Sequence, residues 1–323
     1  MNRLVVSILF LTFRLYSFSA SQTDSLILEL NKTIDKRSEY IQEKYDHLKQ
    51  ITKQLSARHI SDARAFVLTS EIYNQYKSFI YDSAFNYAIR LQHLAKRMND
   101  PLKIARAKLD LGFVLFSSGL FKEAIDTFKT LKIKDLPDSI KVEYYANLAR
   151  AYYDIAAYEL DNFYSPRYDL IGNQTLDSAL NLCSSSSLPF LTLSGLKMMK
   201  GQNFNAARPY FERVIKNFKL NYSQYAIATS SMAYIYIRNQ QTDKAKEMLI
   251  KAAIADIKSS IKETVAIRNL AEILYKQGKV KEAYYYIKIA RDEANFYNAR
   301  QRKNQVASIF PIIEEHELAT AEK

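Results

Sequence analysis

Small residues recur along the second half of the chain at a constant interval. Ala207, Ala245 and Ala283 stand 38 residues apart, and each is followed four residues later by a large apolar side chain. A fixed period of this length indicates a repeat architecture, in which each unit buries its apolar face against its neighbours. The spacing therefore predicts that the chain stacks several copies of one unit.

The predicted unit is a pair of helices. Only six glycines occur in 323 residues, and apolar residues recur with a period near 3.6 rather than in strand alternation. The stretch LDLGFVLFSSGLFKEAIDTF, residues 109–128, places two of these glycines seven residues apart. We expect Gly112 where two helices approach too closely for a side chain, and Gly119 in the turn, where a positive φ is useful. The fold class is all-α.

The same stretch fits the tetratricopeptide pattern, which has Leu-Gly in its first helix and Ala-x3-Phe in its second. Gly112, Ala124 and Phe128 fill those places, and weaker copies precede and follow. We predict five to six such hairpins over residues 61–290, stacked as a right-handed helical solenoid.

The segments outside the repeats have their own patterns. Residues 1–21 combine a basic start, an apolar run and small residues at a cleavage spacing, which predicts a signal peptide; the alternative is a buried N-terminal helix. Residues 22–60 read as one long amphipathic helix that caps the first repeat. Residues 159–176 are predicted to be an insertion within the middle repeat, and residues 291–323 a C-terminal helix.

The net charge of +12 raises nucleic acid as a partner. Basic and acidic residues alternate along the helices, however, as in Lys141-Val142-Glu143. Such mixing is typical of a solvated surface, so we expect no direct binding of nucleic acid by this segment.

Residues that could carry catalysis are few. The four histidines are scattered without ligand spacing, and no GxSxG, P-loop or GxGxxG stretch occurs. Cys183 is the single cysteine, so an intramolecular disulfide cannot form. We expect no cofactor, no metal site and no enzymatic activity.

A solenoid usually binds through its concave face, which the first helix of each hairpin lines. Side chains there that should point away from the second helix mix rings with cations. They are Phe113, Phe116, Arg150, Tyr153, Lys200, Tyr234, Arg238, Arg268 and Tyr275. Such a face could stack on sugars or hold an extended acidic peptide. The alternative is that the rings fill gaps between helices.

Four stretches carry a family resemblance. They are the helix ending in KYDHLKQITKQL, the repeat YDSAFNYAIRLQHLAKRMND, the insertion DNFYSP followed by GNQTLDSAL, and the tail YNARQRKNQVASIFPIIEEHELATAEK. Together they resemble the periplasmic tetratricopeptide-repeat sensor half of Bacteroidetes membrane-spanning transcriptional regulators, the SusR-like proteins.

The resemblance implies a non-enzymatic periplasmic sensor linked to polysaccharide utilisation, which binds a protein, a peptide or an oligosaccharide. Family members continue through a transmembrane helix into a DNA-binding part, and this sequence stops at Lys323 before either. The resemblance therefore places residues 291–323 next to the inner membrane, with anchoring only through further sequence. The alternative is a stand-alone exported adaptor for protein–protein interaction.

Overall fold

The computed structural model describes residues 23–262, 264–298 and 300–321, and the helices α1 to α16 follow one another through them. The predicted signal peptide, residues 1–21, lies outside the described residues. Helix α1 spans residues 23–35, and α2 is Arg37–Leu55. Among the described residues, none of the helices combines the length and the hydrophobicity that spanning a bilayer requires.

Six helical hairpins follow α2 along the described chain. They are α3 (Asp62–Tyr76) with α4 (Tyr81–Met98), α5 (Pro101–Ser118) with α6 (Phe121–Lys129), α7 (Asp138–Glu159) with α8 (Ser165–Leu180), α9 (Leu188–Lys200) with α10 (Phe204–Asn217), α11 (Tyr222–Arg238) with α12 (Thr242–Lys258), and α13 (Val265–Lys276) with α14 (Val280–Tyr297). Two short helices, α15 (Arg300–Ala307) and α16 (Phe310–Ala321), end the described chain. The predicted all-α solenoid is confirmed.

Local sequence sets where several first helices begin. The Ser61 hydroxyl accepts the Arg64 amide at the start of α3. Asp100 accepts two backbone amides at the start of α5, where Pro101 follows as the first helical residue. At the start of α11, Asn221 and Gln224 form a reciprocal capping box. These caps satisfy amides that have no partner within the helix.

The close approach predicted at Gly112 is present. A Cβ built there would lie 2.2 Å from the Phe128 ring, so any side chain would collide with the second helix. Gly119 ends α5 with φ of +96°, a left-handed conformation that glycine adopts without steric cost. Gly195 repeats the close approach against Phe211, at 2.6 Å. The two helices of these hairpins therefore pack ring against backbone.

The N-terminal segment differs from the single capping helix expected over residues 22–60. Lys36 forms a turn that separates α1 from α2, and α2 ends at Leu55. Helix α2 packs on the first hairpin, whereas Leu30 and Ile34 of α1 are buried among α12, α13 and α14. Helix α1 thus joins the last hairpins of the row rather than capping the first.

Two other segments also differ from expectation. Most of residues 159–176, read as an insertion, belong to α8, the second helix of the third hairpin. Pro166 occupies the first turn of α8, where its missing amide costs nothing. The single helix expected over residues 291–323 is instead the end of α14 followed by α15 and α16.

Candidate functional site

Charged and aromatic side chains recur on the first helices of the hairpins and at the end of α3. We call this set the first-helix face; it comprises Lys77, Arg106, Asp110, Phe113, Phe116, Glu143, Arg150, Tyr153, Lys200, Tyr234, Arg238, Arg268 and Tyr275. Contacts between neighbouring hairpins join its members on α3, α5, α7 and α9. The repeat register places these residues side by side, because equivalent positions of stacked hairpins lie next to each other.

Cations of the first-helix face lie over rings of the neighbouring hairpin. The distances to the ring centre are 5.6 Å for Lys77 and Phe113, 5.3 Å for Arg150 and Phe116, and 4.5 Å for Lys200 and Tyr153. Such contacts contribute about 0.5 to 2 kcal/mol each, depending on solvent exposure. These contacts link the neighbouring first helices α5, α7 and α9, and link α5 to the end of α3.

The rings in these pairs lie beneath the cations. Phe116 is fully buried and Tyr153 is 1% exposed, whereas the Arg150 side chain is 49% exposed. The Tyr153 hydroxyl donates to Asn173 at 2.8 Å, which fixes the ring against α8. Solvent therefore meets the Lys200 ammonium and the Arg150 guanidinium, which also pairs with Asp154 at 3.6 Å. Neither buried ring is available to stack on a sugar.

An ionic network lies at the N-terminal end of the face. Arg106 donates to Glu143 at 2.6 Å and to Asp110 at 3.2 Å. Asp110 is 3% exposed, and its Oδ2 atom has no hydrogen-bond partner. Burial raises the pKa of Asp110 to about 6, and Glu143 adds to the rise, while Arg106 and Lys77 oppose it. Arg106 of α5 thus pairs with both carboxylates of the network, one on α5 and one on α7.

The face is more open at α11. Ile227 and Tyr234, two turns apart on one side of the helix, are 51% and 42% exposed. Arg238 lies 5.4 Å from the centre of the Phe204 ring, and Phe204 meets Tyr234 edge to face at 5.9 Å. This stretch offers apolar surface beside the Arg238 guanidinium.

The C-terminal end of the face is partly covered. The Tyr275 hydroxyl lies 3.3 Å from Nδ1 of His316 on α16, and the two rings meet edge to face. Burial lowers the pKa of the Arg268 guanidinium, which Glu272 partly offsets, and its Nε atom has no hydrogen-bond partner. Arg268 and Tyr275 thus stand apart from the cation and ring pairs of α3 to α11.

All nine side chains proposed from the sequence lie on first helices. The structure brings seven of them into two sets, five around α5, α7 and α9 and two on α11. Sequence reasoning missed Lys77, Arg106, Asp110, Glu143 and Phe204. Spacing could have found Lys77, because it follows Ile72 by five residues, as Lys200 follows Gly195 and Arg238 follows Ala233.

Metal chemistry finds no support in the described residues. Nowhere in that part of the chain do three His, Cys, Asp or Glu side chains come close enough together to hold an ion.

Comparison with solved structures identifies the architecture. An IFIT1 monomeric mutant with Gppp-AAAA superposes with a TM-score of 0.51 at 13% identity, covering 89% of this chain and 68% of that one. A second IFIT1 mutant, with m7Gppp-AAAA, gives 0.50 at 15% identity with the same coverage. A tetratricopeptide repeat protein from Parabacteroides merdae gives 0.38 at 14% identity, covering 87% and 93%. At these identities the likeness concerns the fold alone.

Sequence comparison is more specific. No curated protein sequence matches the chain. The SusR N-terminal TPR domain, in contrast, matches residues 34–308, which includes all six hairpins. A domain of this type is a protein-interaction scaffold rather than a catalytic fold. The chain belongs to the SusR N-terminal TPR domain family.

Proposed function

We propose that this domain is the exported, periplasmic sensor part of a SusR-like regulator, and that it binds an extended acidic segment of a protein along the first-helix face. The observation that supports this partner is the placement of Arg150, Lys200 and Arg238 above their rings. The cations meet solvent while Phe116 and Tyr153 lie beneath them. Guanidinium groups held in this way favour carboxylates, and Tyr234 and Ile227 add apolar area for the peptide's side chains.

Binding of a labelled glutamate-rich peptide, compared with its glutamine analogue, tests the partner. We expect the acidic peptide to bind at least tenfold more tightly, and affinity to fall as salt is raised, because exposed charge pairs are screened. Arg150→Ala with Arg238→Ala should remove most of this preference. Lys281→Ala, which changes an exposed cation on α14 away from the face, is the control. Equal binding of the two peptides would reject the proposal.

An oligosaccharide is the second candidate, linked to polysaccharide utilisation. It is favoured by the exposed Tyr234 ring, which Phe204 supports from the side. Aromatic faces of this kind can pack on the apolar side of a sugar. Thermal stabilisation by a neutral oligosaccharide, lost in Tyr234→Ala but retained in Arg238→Ala, would support this ligand over the acidic peptide.

The cellular setting needs its own test. An antibody to residues 60–300 would report the mass and fractionation of the native polypeptide. A membrane-bound species much larger than 323 residues supports a regulator with its output part attached. A soluble periplasmic species of about this length supports a stand-alone adaptor. A cytoplasmic species would contradict both.

A further inference from the structure

The first and last hairpins of the row touch each other. The Lys262 amide, between α12 and α13, donates to the Ser78 carbonyl, between α3 and α4, at 2.8 Å. The Tyr297 hydroxyl, at the end of α14, donates to the Lys77 carbonyl at 2.9 Å. We call the meeting of these three segments the closing contact. It joins residues about two hundred positions apart in sequence.

A buried charged cluster supports the closing contact. The Lys262 ammonium pairs with Glu293 at 2.9 Å, and both side chains are less than one tenth exposed. Arg302, from α15, stacks 3.6 Å from the centre of the Tyr297 ring and donates to the Lys262 carbonyl at 2.6 Å. Through Arg302, helix α15 therefore contacts both Lys262 and Tyr297 of the closing contact.

The closing contact differs in kind from the packing inside a hairpin. Within a hairpin, apolar side chains pack against the facing helix, as the Phe128 ring packs on the backbone at Gly112. The closing contact depends mainly on hydrogen bonds to carbonyls and on one buried ion pair, whose attraction is largely offset by desolvation. Phe79 against Phe296, 5.2 Å between ring centres, is the main apolar addition. Contacts of this polar type open more readily than the cores they connect.

We propose that the closing contact is a latch, which opens and closes while the six hairpins stay folded. Opening separates Lys262 and Tyr297 from the connection between α3 and α4. The latch also borders the first-helix face, because Lys77 accepts from Tyr297 through its carbonyl and covers Phe113 with its ammonium. The latch itself does not depend on which ligand that face binds.

Hydrogen exchange at one amide tests the latch directly. The Lys262 amide bonds across the closing contact, whereas amides inside α12 bond within their own helix. We expect the Lys262 amide to exchange at least tenfold faster than the interior amides of α12. Tyr297→Phe removes one hydroxyl bond, and should speed Lys262 exchange about fivefold without changing the α12 interior. Tyr153→Phe, which loses a hydroxyl bond within a hairpin, should leave Lys262 unchanged.

A distance measurement provides the second test. Spin labels at the exposed positions Arg90 and Lys281, in a Cys183→Ser background, report the separation of the first and last hairpins. We expect one distance between the labels in the parent, and a second, longer distance in Arg302→Leu, while the circular dichroism spectrum shows unchanged helix content. If Arg302→Leu lowers the helix content, the same distance measurement on Tyr297→Phe replaces it. A Lys262 amide that exchanges only at the rate of the α12 interior, in parent and variant alike, would overturn the proposal.

Discussion

Gly112 and Gly278 are glycines for different physical reasons, and alanine at each position separates them. Gly112→Ala places a Cβ inside the Phe128 ring, so we expect a loss of about 1 to 3 kcal/mol in the free energy of unfolding. Gly278 has φ of +76° with nothing within 4 Å of an added Cβ, so Gly278→Ala should cost only its backbone strain, about 1 kcal/mol. Urea unfolding measures both values.

Gly201→Ala is the matched control for these substitutions. Gly201 ends α9 with an ordinary φ of −75°, and its added Cβ would come no closer than 3.5 Å to the Lys197 carbonyl. Alanine there should be neutral, or stabilising by about 0.5 kcal/mol through the unfolded chain. Equal effects at Gly112 and Gly201 would contradict the close approach.

Asp110 makes stability depend on pH in a specific window. Burial, with Glu143, raises the pKa of Asp110 from 3.8 to about 6. Between these values the folded chain holds a proton that the unfolded chain has lost, so the free energy of unfolding falls as pH rises from about 4 to 6. Asp110→Asn keeps the shape and the Arg106 bond but cannot ionise. The urea midpoint of Asp110→Asn minus that of the parent should therefore increase from about pH 4 to about pH 6. A difference that stays constant over this range would contradict the raised pKa of Asp110.

Helix α1 shows what amphipathic periodicity can and cannot predict. A stripe of apolar residues indicates that one face of a helix is buried, but it does not identify the partner. Leu30 and Ile34 carry the stripe, and their partners lie in hairpins some two hundred residues later. The Tyr286 hydroxyl donates to Asn31 at 2.7 Å, and Lys258 pairs with Glu29. These contacts are set by the tertiary structure, so the local sequence of α1 does not reveal them.

Truncating Leu30 tests this assignment. Leu30 is fully buried, so Leu30→Ala should cost about 2 to 5 kcal/mol. We expect faster hydrogen exchange in α12 and α14, far along the sequence, while α3 and α4 are unchanged. Leu48→Ala, on α2 and also buried, is the control and should loosen α3 instead. The reverse distribution would mean that α1 caps the first hairpin after all.

Repeat spacing predicted the hairpins and the glycine contacts because these are set within one unit. Gly112 meets Phe128 sixteen residues later, and the register of small and large residues encodes that pair. The network of Arg106 and Glu143 joins two hairpins, and no spacing rule within one unit describes it. Residues 159–176, predicted to be an insertion, contain Pro166 and Gly172, and both residue types usually interrupt helices. In the structure, Pro166 lies in the first turn of α8 and Gly172 lies against the Tyr153 ring.

The whole molecule is a row of hairpins whose ends meet. In an open solenoid each repeat contacts only its neighbours, so stability is a sum of local terms. Here Tyr297, Lys262 and Phe296 contact the connection between α3 and α4. The stability of the closed row therefore includes a contribution from contacts between its first and last hairpins, in addition to the contacts between neighbours.

Lys44 reports on the closed row through its pKa. It lies over the Phe79 ring at 5.2 Å and donates to the Gln75 carbonyl at 3.4 Å. Burial, together with the charge of Lys262 from the other end of the chain, lowers the pKa of Lys44 from 10.5 to about 8. Between these values the unfolded chain binds a proton that the folded chain has released. The free energy of unfolding should therefore rise with pH from about 8 to 10.5.

Thermal melts from pH 7.5 to 9.5 measure this rise, with Lys44→Met as the variant that should abolish it. Lys49→Met, an exposed lysine on the same helix, should retain it. Because Lys262 contributes to the shift only while the ends are in contact, Tyr297→Phe should weaken the rise without touching Lys44. A rise that persists in Lys44→Met would assign it to another group. A rise that Tyr297→Phe leaves intact would mean that burial alone, and not the meeting of the two ends, sets the pKa of Lys44.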